Sequence, residues 1–256
     1  MKQRKHTQKE IYKHHKSSLE FTRTKNILTE ADNDSYNVVF IGPTGCGKSS
    51  LINHLFNLTV VNAAASAESV TRKVQFLEGS TIMKTTERRF KRSLNIIDTL
   101  GLCDSVFTED EVFSMIKSSL ELNLAKIDKV LIVCSGRIEN HHAAAIKQFM
   151  QWLQYDKNKK RFCFIYNKSD MLTEGEKVSC LLQMCEMLGA DTADDDLIWM
   201  EGDQKLFIKQ NINLGFPPIA EFKQVETDMY KLIRAAFAYD TVTPRIQLEK
   251  SLCTIL

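Results

Sequence analysis

The segment Gly42-Pro43-Thr44-Gly45-Cys46-Gly47-Lys48-Ser49 constrains this chain more than any other stretch. It follows an apolar run, Val38-Val39-Phe40-Ile41, and precedes a helix-like run, Ser50-Leu51-Ile52-Asn53-His54-Leu55-Phe56. Strand, glycine loop and helix form the context in which Gly, four residues, then Gly-Lys-Ser reads as a phosphate-binding loop. The glycines let backbone N–H groups curl around a polyphosphate, and the helix N-terminus adds partial positive charge. The pattern assigns Gly42 to Ser50 to phosphate binding, Lys48 to the outer phosphates and the Ser49 hydroxyl to Mg²⁺. A nucleoside triphosphate ligand is the expectation.

Beyond the loop, apolar runs alternate with amphipathic stretches. Strands are expected at Val38–Ile41, Val74–Leu77, Leu94–Ile97, Lys129–Cys134, Phe162–Tyr166 and Leu197–Met200, and helices at Lys48–Phe56, Glu109–Leu122, His142–Gln154, Glu174–Leu188 and Ala220–Ala238. Unbroken apolar strands suit a sheet buried on both faces. The expected fold is therefore α/β: a P-loop NTPase domain with a mostly parallel six-stranded sheet and helices on both faces. The charged stretch Lys84–Arg92 reads as a hairpin turn between the second and third strands, giving one antiparallel edge strand.

Three further sites bear on the ligand. Asp98-Thr99-Leu100-Gly101 ends an apolar strand with Asp, two residues, Gly. A carboxylate there can hold Mg²⁺, and the Gly101 N–H can approach a γ-phosphate because no side chain blocks it. Asn167-Lys168-Ser169-Asp170 follows another strand and has the guanine-selecting order Asn-Lys-x-Asp. The Asp170 carboxylate can accept from the ring N1–H and the exocyclic amine that guanine presents and adenine does not. Asn167 can contact the base and brace the phosphate loop, while the Lys168 stem packs on the base face. Thr71 lies between the first helix and the second strand, where a hydroxyl can complete a Mg²⁺ shell when γ-phosphate is present. A surface turn and a strand-starting β-branched residue are the plainer readings of these last two sites.

Ser69-Val70-Thr71, the run Asn95 to Leu102 and the run Val130 to Arg137 together resemble the AIG1-type GTPases, kin to septins and the chloroplast import-receptor GTPases. The resemblance covers roughly residues 37–200. It implies a G domain that binds GTP and GDP with Mg²⁺ and hydrolyses GTP. Where that family usually has Asp-Thr-Pro-Gly, this chain has Leu100 in the Pro position. Leu102 follows Asp-x-x-Gly, where a Ras-like GTPase places a water-orienting Gln, so slow intrinsic hydrolysis is expected. Gly136-Arg137 matches the family's Gly-Arg box. The resemblance implies that Arg137 reaches across a nucleotide-face homodimer as a finger in trans; pairing with a surface carboxylate such as Glu139 is the alternative. The guanine-contacting loop after the last strand is expected at Glu201-Gly202. A GTP-cemented assembly protein of septin type and an ATP-using kinase are the competing functions; Leu102 favours the first, and Asn167–Asp170 speaks against the second.

The flanks differ from the centre. Residues 1–35 are basic, read as a short helix around Gln8–Leu28 or a solvated arm; 36–240 form the G domain and 241–256 a tail. A net charge of +2 points to no nucleic-acid partner. The seven cysteines form no CxxC pair and no His/Cys cluster that suggests a metal site, which suits buried reduced thiols in the cytoplasm. No apolar run is long enough to span a bilayer, and the N-terminus has no signal-peptide core. The end Cys253-Thr254-Ile255-Leu256 fits C-a-a-X loosely, so a prenylated Cys253 at the cytosolic face of a membrane stands beside the plainer reading of a buried Cys.

Overall fold

A computed structural model describes residues 19–25, 27–28, 35–56, 58–62, 73–84, 89–103, 106–170, 172–190, 205–208, 232 and 243–248. Its strands are β1 (Leu19–Lys25), β2 (Tyr36–Ile41), β3 (Gln75–Lys84), β4 (Arg89–Asp98), β5 (Lys126–Ile127), β6 (Lys129–Ser135), β7 (Phe162–Asn167), β8 (Lys205–Ile208) and β9 (Ile246–Gln247). Its helices are α1 (Lys48–Phe56), α2 (Glu109–Asn123), α3 (Asn140–Trp152), α4 (Tyr155–Asn158) and α5 (Glu174–Leu188). The main sheet has seven strands in the order β1-β3-β4-β2-β6-β7-β8. The pairs β2/β4, β2/β6, β6/β7 and β7/β8 are parallel, and β1/β3 and β3/β4 are antiparallel. This is the mostly parallel α/β sheet of a P-loop GTPase, with its antiparallel strands at one edge.

The centre is built as its apolar runs dictate. All of β2 is buried, with Val39 and Ile41 packing into one core and Val38 and Phe40 into the other. Period-two alternation sends neighbours to opposite faces, so a strand covered on both sides must be apolar throughout. Helix α1 covers one face through Leu51, Ile52 and Leu55. Helices α2, α3 and α5 cover the other through residues such as Val112, Ile116, Ile146, Phe149, Leu181 and Met184. Each such buried Leu, Ile or Phe stabilises the fold by roughly 1.5–3 kcal/mol against exposure.

Three expectations need correction. Leu19–Lys25, inside the segment read as a helix or solvated arm, is an edge strand antiparallel to β3. Its chain alternates Leu19, Phe21 with polar partners, and the inward side is apolar: Leu19 is buried and Phe21 stacks edge-on to Phe56 at 5.5 Å. Charges on the outer side hid that pattern; Lys91 meets Glu20 at 2.8 Å and Arg23 pairs with Glu78. Such charges are what an edge strand carries to resist pairing with other chains. The sheet thus begins before Tyr36, with a second antiparallel strand. Next, the hairpin expected between the second and third strands is present but the pairing reaches further into Lys84–Arg92 than expected, since Lys84 already pairs with Arg89 and the ladder runs on to Gln75 and Asp98. Finally, the strand beside β7 is Lys205–Ile208 rather than the expected Leu197–Met200, which lies outside the described residues. Short apolar runs look alike by periodicity, so only pairing distinguishes them.

The expected tail also joins the domain. Ile246 and Gln247 pair with Ile127 and Lys126, and Ile246 and Leu248 are buried. The helix expected at Ala220–Ala238 falls outside the described residues except for Leu232, which is helical and buried. Cys253 falls outside them entirely.

Candidate nucleotide site

The carboxyl ends of β2, β4 and β7 lie side by side in the sheet or one strand apart, which is where open α/β sheets bind ligands. The loop from Gly42 to Gly47 leaves β2 and runs into α1. Gly45 and Gly47 have φ of +74° and +96°, the left-handed region that residues with a Cβ avoid. Gly42 is required for a different reason: a Cβ there would stand 1.9 Å from the Val133 carbonyl oxygen. Lys48 is buried and donates from Nζ to the carbonyls of Gly42 at 2.8 Å and Pro43 at 3.1 Å. Its ammonium is thereby held under the loop. The first turn of α1 contains no acidic residue, so its N–H groups and partial positive charge face no carboxylate of their own.

At the end of β4, Asp98 is fully buried and accepts a 2.7 Å hydrogen bond from the Ser49 hydroxyl. Its other oxygen, Oδ1, has no partner. Burial pushes the Asp98 carboxyl above its ordinary range, against the opposing pull of the Lys48 ammonium and the Ser49 hydroxyl. A buried carboxylate with one open oxygen beside a hydroxyl is a hard-oxygen donor set suited to Mg²⁺. Gly101 follows, and a Cβ there would meet Thr44 Oγ1 at 2.1 Å.

Asn167 ends β7 fully buried and donates from Nδ2 to the Cys46 carbonyl at 2.8 Å. Lys168, with φ of +57°, donates from Nζ to the Gly45 carbonyl at 2.6 Å. The two side chains clamp the phosphate loop from the far side of the sheet. Asn167 Oδ1 and the buried Ser169 Oγ have no partner. Asp170 is half-buried at the head of the turn into α5. Gly42 to Ser50, Asp98, Gly101, Asn167, Lys168 and Asp170 therefore occupy one end of the sheet. Thr71, Glu201 and Gly202 lie outside the described residues.

Arg137 is exposed on the loop between β6 and α3, two residues past Ser135, which pairs with Asn167, and makes no ion pair among the described residues. Glu139, its nearest acidic neighbour in sequence, instead lies 3.4 Å from His141 Nδ1. Sequence reasoning missed what holds this loop: the Tyr166 hydroxyl donates to the Gly136 carbonyl at 3.0 Å. It also missed the second function of Leu102. That side chain is 1% exposed and packs in the core. Its backbone N–H donates to the Gly42 carbonyl at 3.1 Å, and its carbonyl accepts from the Thr44 N–H at 3.0 Å. The residue after Asp-x-x-Gly is a core anchor and a backbone strap on the phosphate loop. A core side chain is hydrophobic for packing reasons, which is why a polar residue is absent there.

A strand, phosphate loop and helix, with an Asp at the neighbouring strand tip and Asn-Lys-x-Asp closing over the loop, define a GTPase domain of the P-loop class. The family model described as 50S ribosome-binding GTPase matches residues 37–168, half of the chain, and the protein belongs to that family. Immune-associated nucleotide-binding protein 10 of Arabidopsis thaliana is 32% identical over 101 residues, which cover 40% of this chain and 20% of that relative. The match thus spans about a fifth of that relative's length, and it agrees with the AIG1-type resemblance of the motifs. Among solved structures, Toc33 from Arabidopsis thaliana in complex with GDP and Mg²⁺ has a TM-score of 0.54 at 16% identity, covering 86% of this chain and 90% of that one. A structure showing that dimerization is important for the GTPase activity of the chloroplast translocon components atToc33 and psToc159 has a TM-score of 0.51 at 16% identity, covering 85% and 88%. At that identity the two likenesses establish the fold.

Proposed function

We propose that this chain is a guanine-nucleotide switch of the AIG1 type, binding GTP and GDP with Mg²⁺, hydrolysing GTP slowly alone and faster as a homodimer. The observation that carries the reading is the Ser49–Asp98 contact, with its open carboxylate oxygen, beside the buried Lys48 ammonium. Bound Mg²⁺ would be held by Ser49 and Asp98, joined by Thr71 when γ-phosphate is present, and would neutralise charge on the phosphates. Lys48 offers its ammonium to the outer phosphates, the loop N–H groups surround them, and the Gly101 N–H faces the γ-phosphate. Asp170 reads guanine, Lys168 covers the base, and Glu201-Gly202 is the proposed further contact. With Leu102 committed to the core, no side chain directly after Gly101 orients the attacking water. Slow turnover by a single protomer follows.

Arg137 is proposed to supply the missing charge from a second protomer. Its exposure, its lack of an ion pair and the Tyr166 tether on Gly136 support this role. The dimer-dependent activity of the Toc33 relatives supports it by analogy. Turnover per protomer should rise with protein concentration, and Arg137→Ala should lower the high-concentration rate by about a hundredfold or more, the low side of what a charge-stabilising transition-state donor contributes. Light scattering with GDP and with a non-hydrolysable GTP analogue reports the dimer directly. A rate independent of concentration removes the dimer mechanism and leaves nucleotide binding standing. Asp170→Asn should weaken GTP binding and relax the choice of base; unchanged GTP preference would return an adenine nucleotide to contention.

A second reading, a GTP-cemented assembly protein with incidental turnover, is favoured by the burial of Leu102. Turnover measured beside GTP-dependent oligomerisation separates the two. Cytoplasmic residence is part of the proposal; the six described cysteines, all free thiols, agree with it.

A further inference from the structure

A second group of ligand-bearing side chains converges that phosphate chemistry does not use. Cys103 lies two residues past Gly101, and His141 and His142 open helix α3 just after the Arg137 loop. One ligand atom from each of the three lies within 4.8 Å of the others. The two imidazoles lie with ring centroids 4.1 Å apart and planes tilted by 44°. Cys103 has φ of +57°, a left-handed backbone that a residue with a Cβ rarely adopts. The sequence offers no shared motif for these residues, because they come from different loops.

We propose that Cys103, His141 and His142 bind a thiophilic divalent transition metal, Zn²⁺ by preference. One thiolate and two imidazoles are the mixed S/N donors that Zn²⁺ takes and Mg²⁺ refuses. Zinc–sulfur and zinc–nitrogen bonds of about 2.3 and 2.0–2.1 Å place tetrahedral donors roughly 3.3–3.6 Å apart, so the cluster must contract by up to about 1.5 Å. Exposed and half-buried side chains on the rim of a loop can supply that by rotation. The carboxylates needed around such a centre are present. Glu139 Oε2 stands 3.4 Å from His141 Nδ1, the kind of carboxylate that commonly orients a metal-bound imidazole. Glu109 Oε1 lies 3.6 Å from Cys103 Sγ and, with water, is available for the fourth position. On binding, the Sγ–H bond breaks, its proton goes to solvent, and the sulfur–zinc bond forms, with no change of oxidation state.

The metal would tie the loop that follows Asp98–Gly101 to the helix that follows Gly136-Arg137. The site stands whether or not the chain hydrolyses GTP, since none of its three ligand side chains makes a hydrogen bond or ion pair to the phosphate loop among the described residues.

Titration of the full chain, kept reduced and in excess Mg²⁺, with Co²⁺ as a spectroscopic stand-in tests it. The expected result is four-coordinate visible absorption together with a thiolate-to-cobalt band, both displaced by one equivalent of Zn²⁺. Cys103→Ser should remove the thiolate band, whereas Cys180→Ser, at the other half-buried thiol, should keep it. His141→Ala, at an exposed position, should weaken Co²⁺ binding without unfolding, and Glu139→Gln should weaken it by about tenfold. Circular dichroism checks that each variant is folded. Absence of the thiolate band in the parent protein, its survival in Cys103→Ser, or unaltered Co²⁺ affinity in His141→Ala would each overturn the assignment.

Discussion

The two ends of the central sheet use the same kinds of buried polar residue in opposite ways. At the amino-terminal ends of the strands, Asn37 and Asp128 are held by the protein itself. The Asn37 N–H donates to Asp128 Oδ2 at 2.8 Å, its Nδ2 to the Lys126 carbonyl at 2.8 Å, and its Oδ1 accepts from Asn95 at 2.8 Å. Asp128 also pairs with Arg245, while Arg161, 1% exposed, donates to the carbonyls of Asp128, Thr243 and Pro244. At the carboxyl ends, Asp98 and Asn167 each spend one group on the protein and keep an oxygen open. A buried polar group without a partner costs free energy. Open atoms alone do not separate the ends, since Arg245 Nε also lacks a hydrogen-bond partner; what marks the carboxyl end is that Asp98 and Asn167 keep oxygens open while their other groups hold Ser49 and Cys46 of the phosphate-loop region, where a ligand can complete them. The closed end fastens residues 243–248 to the sheet; the open end has the geometry of a binding site.

The aspartates give the largest contrast. Burial raises the Asp128 carboxyl above its usual range, with the Asn37 N–H and the Arg245 guanidinium pulling it back. The ion pair therefore adds little net stability, yet removing one partner strands the other. Asp128→Ala should cost about 3–5 kcal/mol in urea unfolding, while the folded fraction binds nucleotide as before. Asp98→Ala should leave the nucleotide-free protein at least as stable, because it removes a poorly matched buried carboxylate, and should abolish Mg²⁺-dependent tightening of GTP. If Asp98→Ala instead unfolds the protein and Asp128→Ala is silent, the division between the two ends is wrong.

The asparagines sharpen the same contrast at smaller scale. Asn37→Ala loses the side-chain bonds to the Lys126 carbonyl and from Asn95 at a site with no exposure, keeps the backbone bond to Asp128, and should cost about 2–3 kcal/mol of stability. Asn167→Ala loses one protein hydrogen bond, to Cys46, and should cost about 1 kcal/mol. Its larger effect should appear in GTP affinity, since the phosphate loop loses a brace and the base a neighbour. Equal stability losses with unchanged affinity would show that Asn167 is merely another structural asparagine.

How much of this was legible beforehand follows from the range of the interactions. The open end was readable because its chemistry is local: a glycine loop, a strand tip and a four-residue turn each show their purpose within a few positions. Helices α1 and α5 matched their expected bounds, Lys48–Phe56 and Glu174–Leu188, because the glycine loop fixes where α1 begins, while Thr173 and the left-handed Gly189 close the two ends of α5. The closed end was not readable. Arg161 and Arg245 meet Asp128 from far along the chain, and nothing near Arg245 in sequence marks it as a buried anchor. Strand β1 was hidden for a related reason: its pairing partner Phe76–Thr81 is distant, and its charges outnumber its two inward apolar residues. Leu102 was legible as a missing water-orienting group but not as a core residue, since burial depends on the helices packed over it.

Helix N-termini at the site end extend the comparison to its smallest expected effect. Helices α2 and α5 close their first turns with their own residues. Thr108 accepts from the Glu111 N–H while Glu111 accepts from the Thr108 N–H, and Thr173 and Glu176 repeat the arrangement. Those bonds from the backbone and hydroxyl of the capping threonine pull both glutamates below the ordinary 4.5. A carboxylate whose folded value is depressed stabilises the fold above its unfolded value and loses that contribution as pH falls through the lower, folded one. Acid unfolding of the nucleotide-free protein should therefore carry a component below about pH 4.5 that Glu111→Gln and Glu176→Gln flatten. Thr173→Ala should cost about 1 kcal/mol at neutral pH through the lost cap. Helix α1 has no acidic residue in its first turn and contributes nothing to this component. Its stabilisation at that end should come from phosphate, so GDP should raise the melting temperature of both glutamine variants as much as that of the parent. A GDP response that vanished with the α5 cap would instead mean that the nucleotide stabilises the turn at Asp170 and Thr173 rather than the N-terminus of α1.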